Sequence, residues 1–164
     1  MAAFVPTPRV TDPRLSASDP LAQHRPAGPL ADTPDWHEVV VAALRVYLPG
    51  LIAVYAFGSR LHGTQNADSD LDLAVLVAGY AAPDLLWHLS GELADKLACP
   101  VDLLDLRAAS TVMQYQVLTQ GAALWAAQPQ AALFECYVMS EKLSLDEARA
   151  GLLADIARDG RIYV

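Results

Sequence analysis

Two short apolar runs, joined by one polar loop, constrain this chain more than any other feature. Leu51 to Phe57 is apolar and rich in strand formers. Gly58-Ser59-Arg60-Leu61-His62-Gly63-Thr64-Gln65-Asn66-Ala67-Asp68-Ser69 follows, and Asp70-Leu71-Asp72 opens a second run that reaches Val77. Runs of this length and composition read as buried strands. A small Gly-Ser turn ends the first run, a polar loop follows, and two alternating carboxylates open the second.

Side chains alternate along a strand, so Asp70 and Asp72 fall on one side, with Leu71 and Leu73 on the other. Two carboxylates so close repel unless a cation sits between them. Magnesium takes carboxylate and phosphate oxygens while keeping several waters. Gly58 lets the backbone approach a phosphate closely, and backbone N–H groups at such a turn favour anions. The Ser59 hydroxyl adds a donor, and Arg60 is a candidate phosphate contact. Together these residues read as a site for a nucleoside triphosphate and magnesium.

The helices around these strands follow from periodicity. Thr33 is a candidate N-cap with Pro34 at the first helical position, and Trp36, Val40, Ala43 and Tyr47 recur on one face until Pro49-Gly50. Pro83-Asp84 opens a second helix with Leu86, Leu89, Leu93 and Leu97 as its apolar stripe, ended by Cys99-Pro100. Val101 to Leu106 is a third strand and Thr111 to Thr119 a helix. Ala122 to Ala126 is a short strand or extended link. A long helical region runs from about Gln130 to Arg158, with Leu145, Ala148, Leu152 and Ile156 expected on its buried side. The order predicts a mixed α/β (α+β) domain: a small mixed sheet flanked by helices, with a C-terminal helical segment.

The third strand carries Asp102 and Asp105, three apart and so on opposite faces of a regular strand. One can join the pair. Asp102 lies inside the apolar run, where burial is costly without a charged partner. Asp105, near the strand end, suits a solvated or capping role. Asp102 is therefore the expected third metal ligand and the base for an acceptor hydroxyl.

Composition narrows the uses of such a site. The 164 residues are 54% hydrophobic, enough for one domain with a real core. The net charge of -8 argues against gripping long nucleic acid by its phosphates. No apolar stretch is long enough to span a membrane, and no secretory signal opens the chain. Cys99 and Cys136 make neither a disulfide framework nor a zinc site, so a reducing cytoplasm is the expected location. Residues 1–33 contain Pro6, Pro8, Pro13, Pro20, Pro26 and Pro29 and read as a disordered leader. A core over 34–127 and a C-terminal helical extension of the same domain over 128–164 complete the expected organisation.

Gly58-Ser59, Asp70-x-Asp72 and Asp102 resemble the signature of the polymerase-β-type nucleotidyltransferase superfamily. Gly58-Ser-Arg-Leu-His-Gly-Thr64, Ser69-Asp-Leu-Asp-Leu-Ala-Val75 and Val101-Asp-Leu-Leu-Asp-Leu106 resemble the motifs of its minimal nucleotidyltransferases. Leu133-Phe-Glu135, Ser140-Glu141 and Arg158-Asp-Gly-Arg-Ile-Tyr163 are similar to the tail of the MntA-type antitoxins. The resemblance covers about residues 36 to 163. It implies a polymerase-β-like core and an enzyme that uses magnesium to move AMP from ATP onto a tyrosine of a HEPT-domain ribonuclease toxin. His62 departs from the basic residue that many relatives carry, and Gln65-Asn66 replaces a position often basic. Two other uses fit the residues less well: transfer to a small molecule of the aminoglycoside type, and an antitoxin that acts by occlusion.

Overall fold

The computed structural model describes residues 35–61 and 69–159. The Pro-rich leader, Thr33 and Pro34, the loop residues from His62 to Asp68, and the tail beyond Asp159 lie outside them. The elements are α1 Trp36–Tyr47, β1 Leu51–Phe57, β2 Leu71–Val77, α2 Pro83–Leu97, β3 Val101–Asp105, α3 Thr111–Gln120, β4 Ala122–Ala126 and α4 Gln130–Asp159. The four strands form one mixed sheet in the order β3-β2-β1-β4. β1 runs antiparallel to both β2 and β4, and β2 runs parallel to β3.

The apolar runs are unbroken because β1 and β2 are the inner strands and both their faces are covered. Val54, Ala56, Leu73 and Val75 face α1 and α2, packing with Val40, Leu44, Leu89 and Leu93. Ala53, Tyr55, Ala74 and Leu76 face α3 and α4, packing with Val117, Ala131, Phe134 and Val138. The Leu86, Leu89, Leu93 and Leu97 stripe of α2 is buried as its spacing predicts.

Three expectations need correction. Helix α1 begins at Trp36, with Asp35 in the N-cap position, rather than at Pro34. Its buried stripe is Trp36, Val40, Leu44 and Leu48, a strict four-residue step, so Ala43 is only half-buried and Tyr47 is exposed. The Tyr47 hydroxyl turns outward and donates to Glu92 on α2 at 3.4 Å. The third correction concerns α4. Leu145 and Ile156 are half-buried, and Ala148 and Leu152 are exposed. A helix of 30 residues is about 45 Å long, whereas the seven-residue strands beneath it span about 24 Å. Ala131, Phe134 and Val138 find the core, and among the described residues the periodic stripe continues past it with no core cluster to join.

Gly121, which ends α3, fixes how that helix meets the sheet. A Cβ there would lie 2.4 Å from the Val117 carbonyl oxygen and 2.7 Å from that of Ala56. Both obstacles are backbone, so Gly121→Ala is expected to force α3 off β1 at a cost of about 1–3 kcal/mol, read as a lower urea midpoint.

Candidate active site

Chain direction places the site. β1 ends at Phe57, paired with Asp72 near the start of β2, and β3 starts beside it with Asp102 paired to Asp72. The C-terminal end of one strand and the N-terminal ends of two others thus meet at one edge of the sheet. Leu71 and Leu73 are buried against α1 and α2, which turns Asp72 to the opposite face. The parallel register puts Asp102 on that face as well. The Leu71 N–H donates to the Pro100 carbonyl at 2.8 Å, fastening the entry of β2 to that of β3.

Gly58 sits directly against Asp72. Its φ of +80° is in the left-handed region, and a Cβ on it would lie 1.9 Å from Asp72 Oδ2. No other residue type fits that contact. The turn closes with the Leu61 N–H donating to the Gly58 carbonyl at 3.3 Å, and Ser59 lies within it. Arg60 is buried, and its Nε donates to the Ser69 carbonyl.

Asp72 is half-buried, while Asp70 and Asp102 are exposed. Burial pushes the Asp72 carboxyl above its ordinary range, and the charges of Asp102 and Asp70 push it further; Arg60 opposes them. The carboxylates therefore act on one another. Cys99, buried where α2 gives way to β3, has its thiol raised by burial, with Arg60 opposing and Asp70 adding. It lies within electrostatic reach of Arg60 and Asp70, a placement its position in sequence did not suggest.

The burial argument for the third acid is reversed in the structure. Asp102 is exposed, near the start of β3, which is an edge strand of the sheet. Asp105 is the buried acid. Its carboxylate accepts from the Ala81 N–H and the Arg107 N–H, both at 2.9 Å, on the face opposite Asp102. It closes the far end of β3 as a cap for backbone amides. The structure thus brings Gly58, Ser59, Arg60, Asp70, Asp72 and Asp102 to one edge and keeps Asp105 apart from them. His62 lies outside the described residues.

The donor set suits a hard cation. Burial, and then the charges of Asp102 and Asp70, disfavour the ionised Asp72 carboxylate, a cost that a cation at this edge would relieve. Among the described residues no three acidic, His or Cys side chains form a ready-made metal cage. Magnesium does not require one, since it binds through one or two carboxylates, waters and substrate phosphates.

The pH dependence follows from the raised Asp72 carboxyl. A group whose folded pKa lies above its unfolded value stabilises the fold below the unfolded value and loses that contribution as pH rises through the folded one. Without metal, wild type should therefore lose stability relative to Asp72→Asn as pH rises from the ordinary carboxylate range upward. Thermal melts of the two proteins in chelator, compared across pH, measure the difference.

A Gly-Ser turn packed on an Asp-x-Asp strand, with a third acid on the neighbouring parallel strand, defines a nucleotidyltransferase site. Residues 43–130 match the family described as polymerase beta, nucleotidyltransferase, and the chain belongs to that family. Within it, the chain is 40% identical to the protein adenylyltransferase MntA of Shewanella oneidensis over 117 residues, which are 71% of this chain and 84% of the relative. A crystal structure of a toxin–antitoxin with AMP-PNP superposes with a TM-score of 0.67 at 39% identity, covering 74% of this chain and 98% of that one. A tri-AMPylated Shewanella oneidensis HEPN toxin in complex with MNT antitoxin matches with a TM-score of 0.63 at 36% identity, over 74% of this chain and 96% of that one.

Proposed function

We propose that this protein is an antitoxin that transfers AMP from ATP to a tyrosine of a HEPN-domain ribonuclease toxin and so silences it. The observation that carries the reading is the packing of the Gly58-Ser59 turn on Asp72, with Asp102 in register beside it. The similarity to MntA along most of that relative's length supports the choice of acceptor.

In this reading the N–H groups of Gly58 and Ser59 cradle the triphosphate, and the Ser59 hydroxyl donates to it. Asp70, Asp72 and Asp102 would hold magnesium, which when bound supplies neutralisation of the triphosphate and of the charge developing during transfer. A tyrosine hydroxyl has an unperturbed pKa of about 10 and is a poor nucleophile at neutral pH. Asp102, exposed at the mouth of the site, takes its proton. The tyrosine oxygen then bonds to the α-phosphorus. The bond from that phosphorus to the α–β bridging oxygen breaks, and pyrophosphate leaves with the electron pair.

In this reading the acceptor tyrosine is supplied by the partner toxin. Among the described residues no helix is long and apolar enough to cross a membrane, and Cys99 and Cys136 are both free thiols, which supports action in the cytoplasm.

A binding-only antitoxin is the second reading, and α4 favours it: Leu133, Tyr137, Leu143 and Leu153 are exposed along that helix. One experiment separates the two. The protein is incubated with α-labelled ATP, magnesium and a candidate HEPN-domain toxin. Label on the toxin supports transfer. Equal rescue of toxin-expressing cells by wild type and by the Asp70→Asn/Asp72→Asn variant would leave only occlusion.

A further inference from the structure

Arg60 stands out among the charged residues near the site. It is 5% exposed, whereas Asp70 and Asp102 face solvent. A guanidinium is costly to bury and is retained where its donors are used. Its Nε donates to the backbone carbonyl of Ser69. Those two residues mark the two ends of the polar link between the strands. The β1–β2 ladder ends at Phe57 and Asp72, and beyond it the chains part. The Arg60–Ser69 bond is a cross-link beyond that last rung, one residue before Asp70. The positive charge of the same side chain opposes what burial and the charges of Asp102 and Asp70 do to the Asp72 carboxyl.

We propose that Arg60 is a positioning residue. Its guanidinium ties the turn after β1 to the segment entering β2, and so holds Asp70 and Asp72 against Gly58 for nucleotidyl transfer. Gly58 and Arg60 then divide the work of one turn. Gly58 gives the space in which Asp72 sits, and Arg60 keeps the strand from drifting out of it. Arginine suits the task because its planar fork is pre-organised, whereas a lysine carries the charge without that geometry.

The kinetic half of the test rests on the transferase reading; the exchange half does not. In metal-free Arg60→Lys, amides of residues 59–61 and 69–71 should exchange about 10-fold faster or more than in wild type, with Val54 and Val75 still protected. In the transfer assay kcat should fall by about 10-fold or more while the KM for ATP stays within about two-fold, the pattern of a misplaced reacting geometry. Unchanged exchange at the loop base overturns the proposal. So does a raised KM with kcat retained, which would make Arg60 a phosphate ligand. Loss of protection at Val54 and Val75 as well would make it a general core residue and also overturns it. If wild type transfers no label, the transferase reading fails while exchange still decides the tie.

Discussion

Gly58→Ala is expected to slow nucleotidyl transfer by about 100-fold while leaving a folded protein. Two costs meet at this position. At φ +80° an L-residue is strained by about 1–2 kcal/mol. The added methyl would also lie 1.9 Å from Asp72 Oδ2 and 2.7 Å from its Cγ. The backbone of Asp72 is held in the ladder opposite Phe57, so the carboxylate must swing away. A displacement of about 1 Å at a reacting site costs on the order of 100-fold in rate. The loss should appear in single-turnover transfer from labelled ATP, with far-ultraviolet dichroism reporting that the fold persists. Combining Gly58→Ala with Asp72→Asn should cost little more than either change alone, because both act through one carboxylate.

Asp72→Asn should divide activity from stability. Transfer is expected to fall by about 100- to 1,000-fold, the scale on which a single electrostatic group acts at a transition state. Metal-free stability should rise at neutral pH. The ionised carboxylate is disfavoured there by burial and by the charges of Asp102 and Asp70, and an amide of the same shape is not. Added magnesium should raise the melting temperature of wild type by mass action on the folded state and do far less for the variant. A metal-free variant less stable than wild type would show that Arg60 more than offsets the repulsion at Asp72. A strained acid that is worth more to chemistry than to the fold is the usual signature of a functional site.

Much of the scaffold was legible from residue pattern alone. Strands β1 and β2 announce themselves because inner strands covered on both faces must be apolar throughout. Helix α2 does so because Leu86, Leu89, Leu93 and Leu97 keep a regular spacing. The α4 stripe misled for a physical reason. Periodicity shows which side of a helix is apolar, not whether anything lies opposite, and α4 outruns the sheet. Asp102 pairs with Asp72 and Asp105 caps backbone amides as expected, but their burial misled in the same way. Neighbouring apolar residues suggest burial, yet the edge position of β3 exposes Asp102, and two backbone amides hold Asp105 inside.

The amino-acid order by itself determined the strand–turn–strand unit and that Asp72 points away from Leu71 and Leu73, and it raised the expectation of a phosphate and metal site at the turn. These are local matters, set by side-chain alternation and turn chemistry within a couple of dozen residues. Only the tertiary structure decided that Asp102 stands beside Asp72 as an exposed acid rather than a buried one, that Gly58 makes room for the Asp72 carboxylate, and that Arg60 is buried with a bond to Ser69. Those facts depend on strand order and register. They follow from how both faces of the sheet are covered, and no local pattern carries that information.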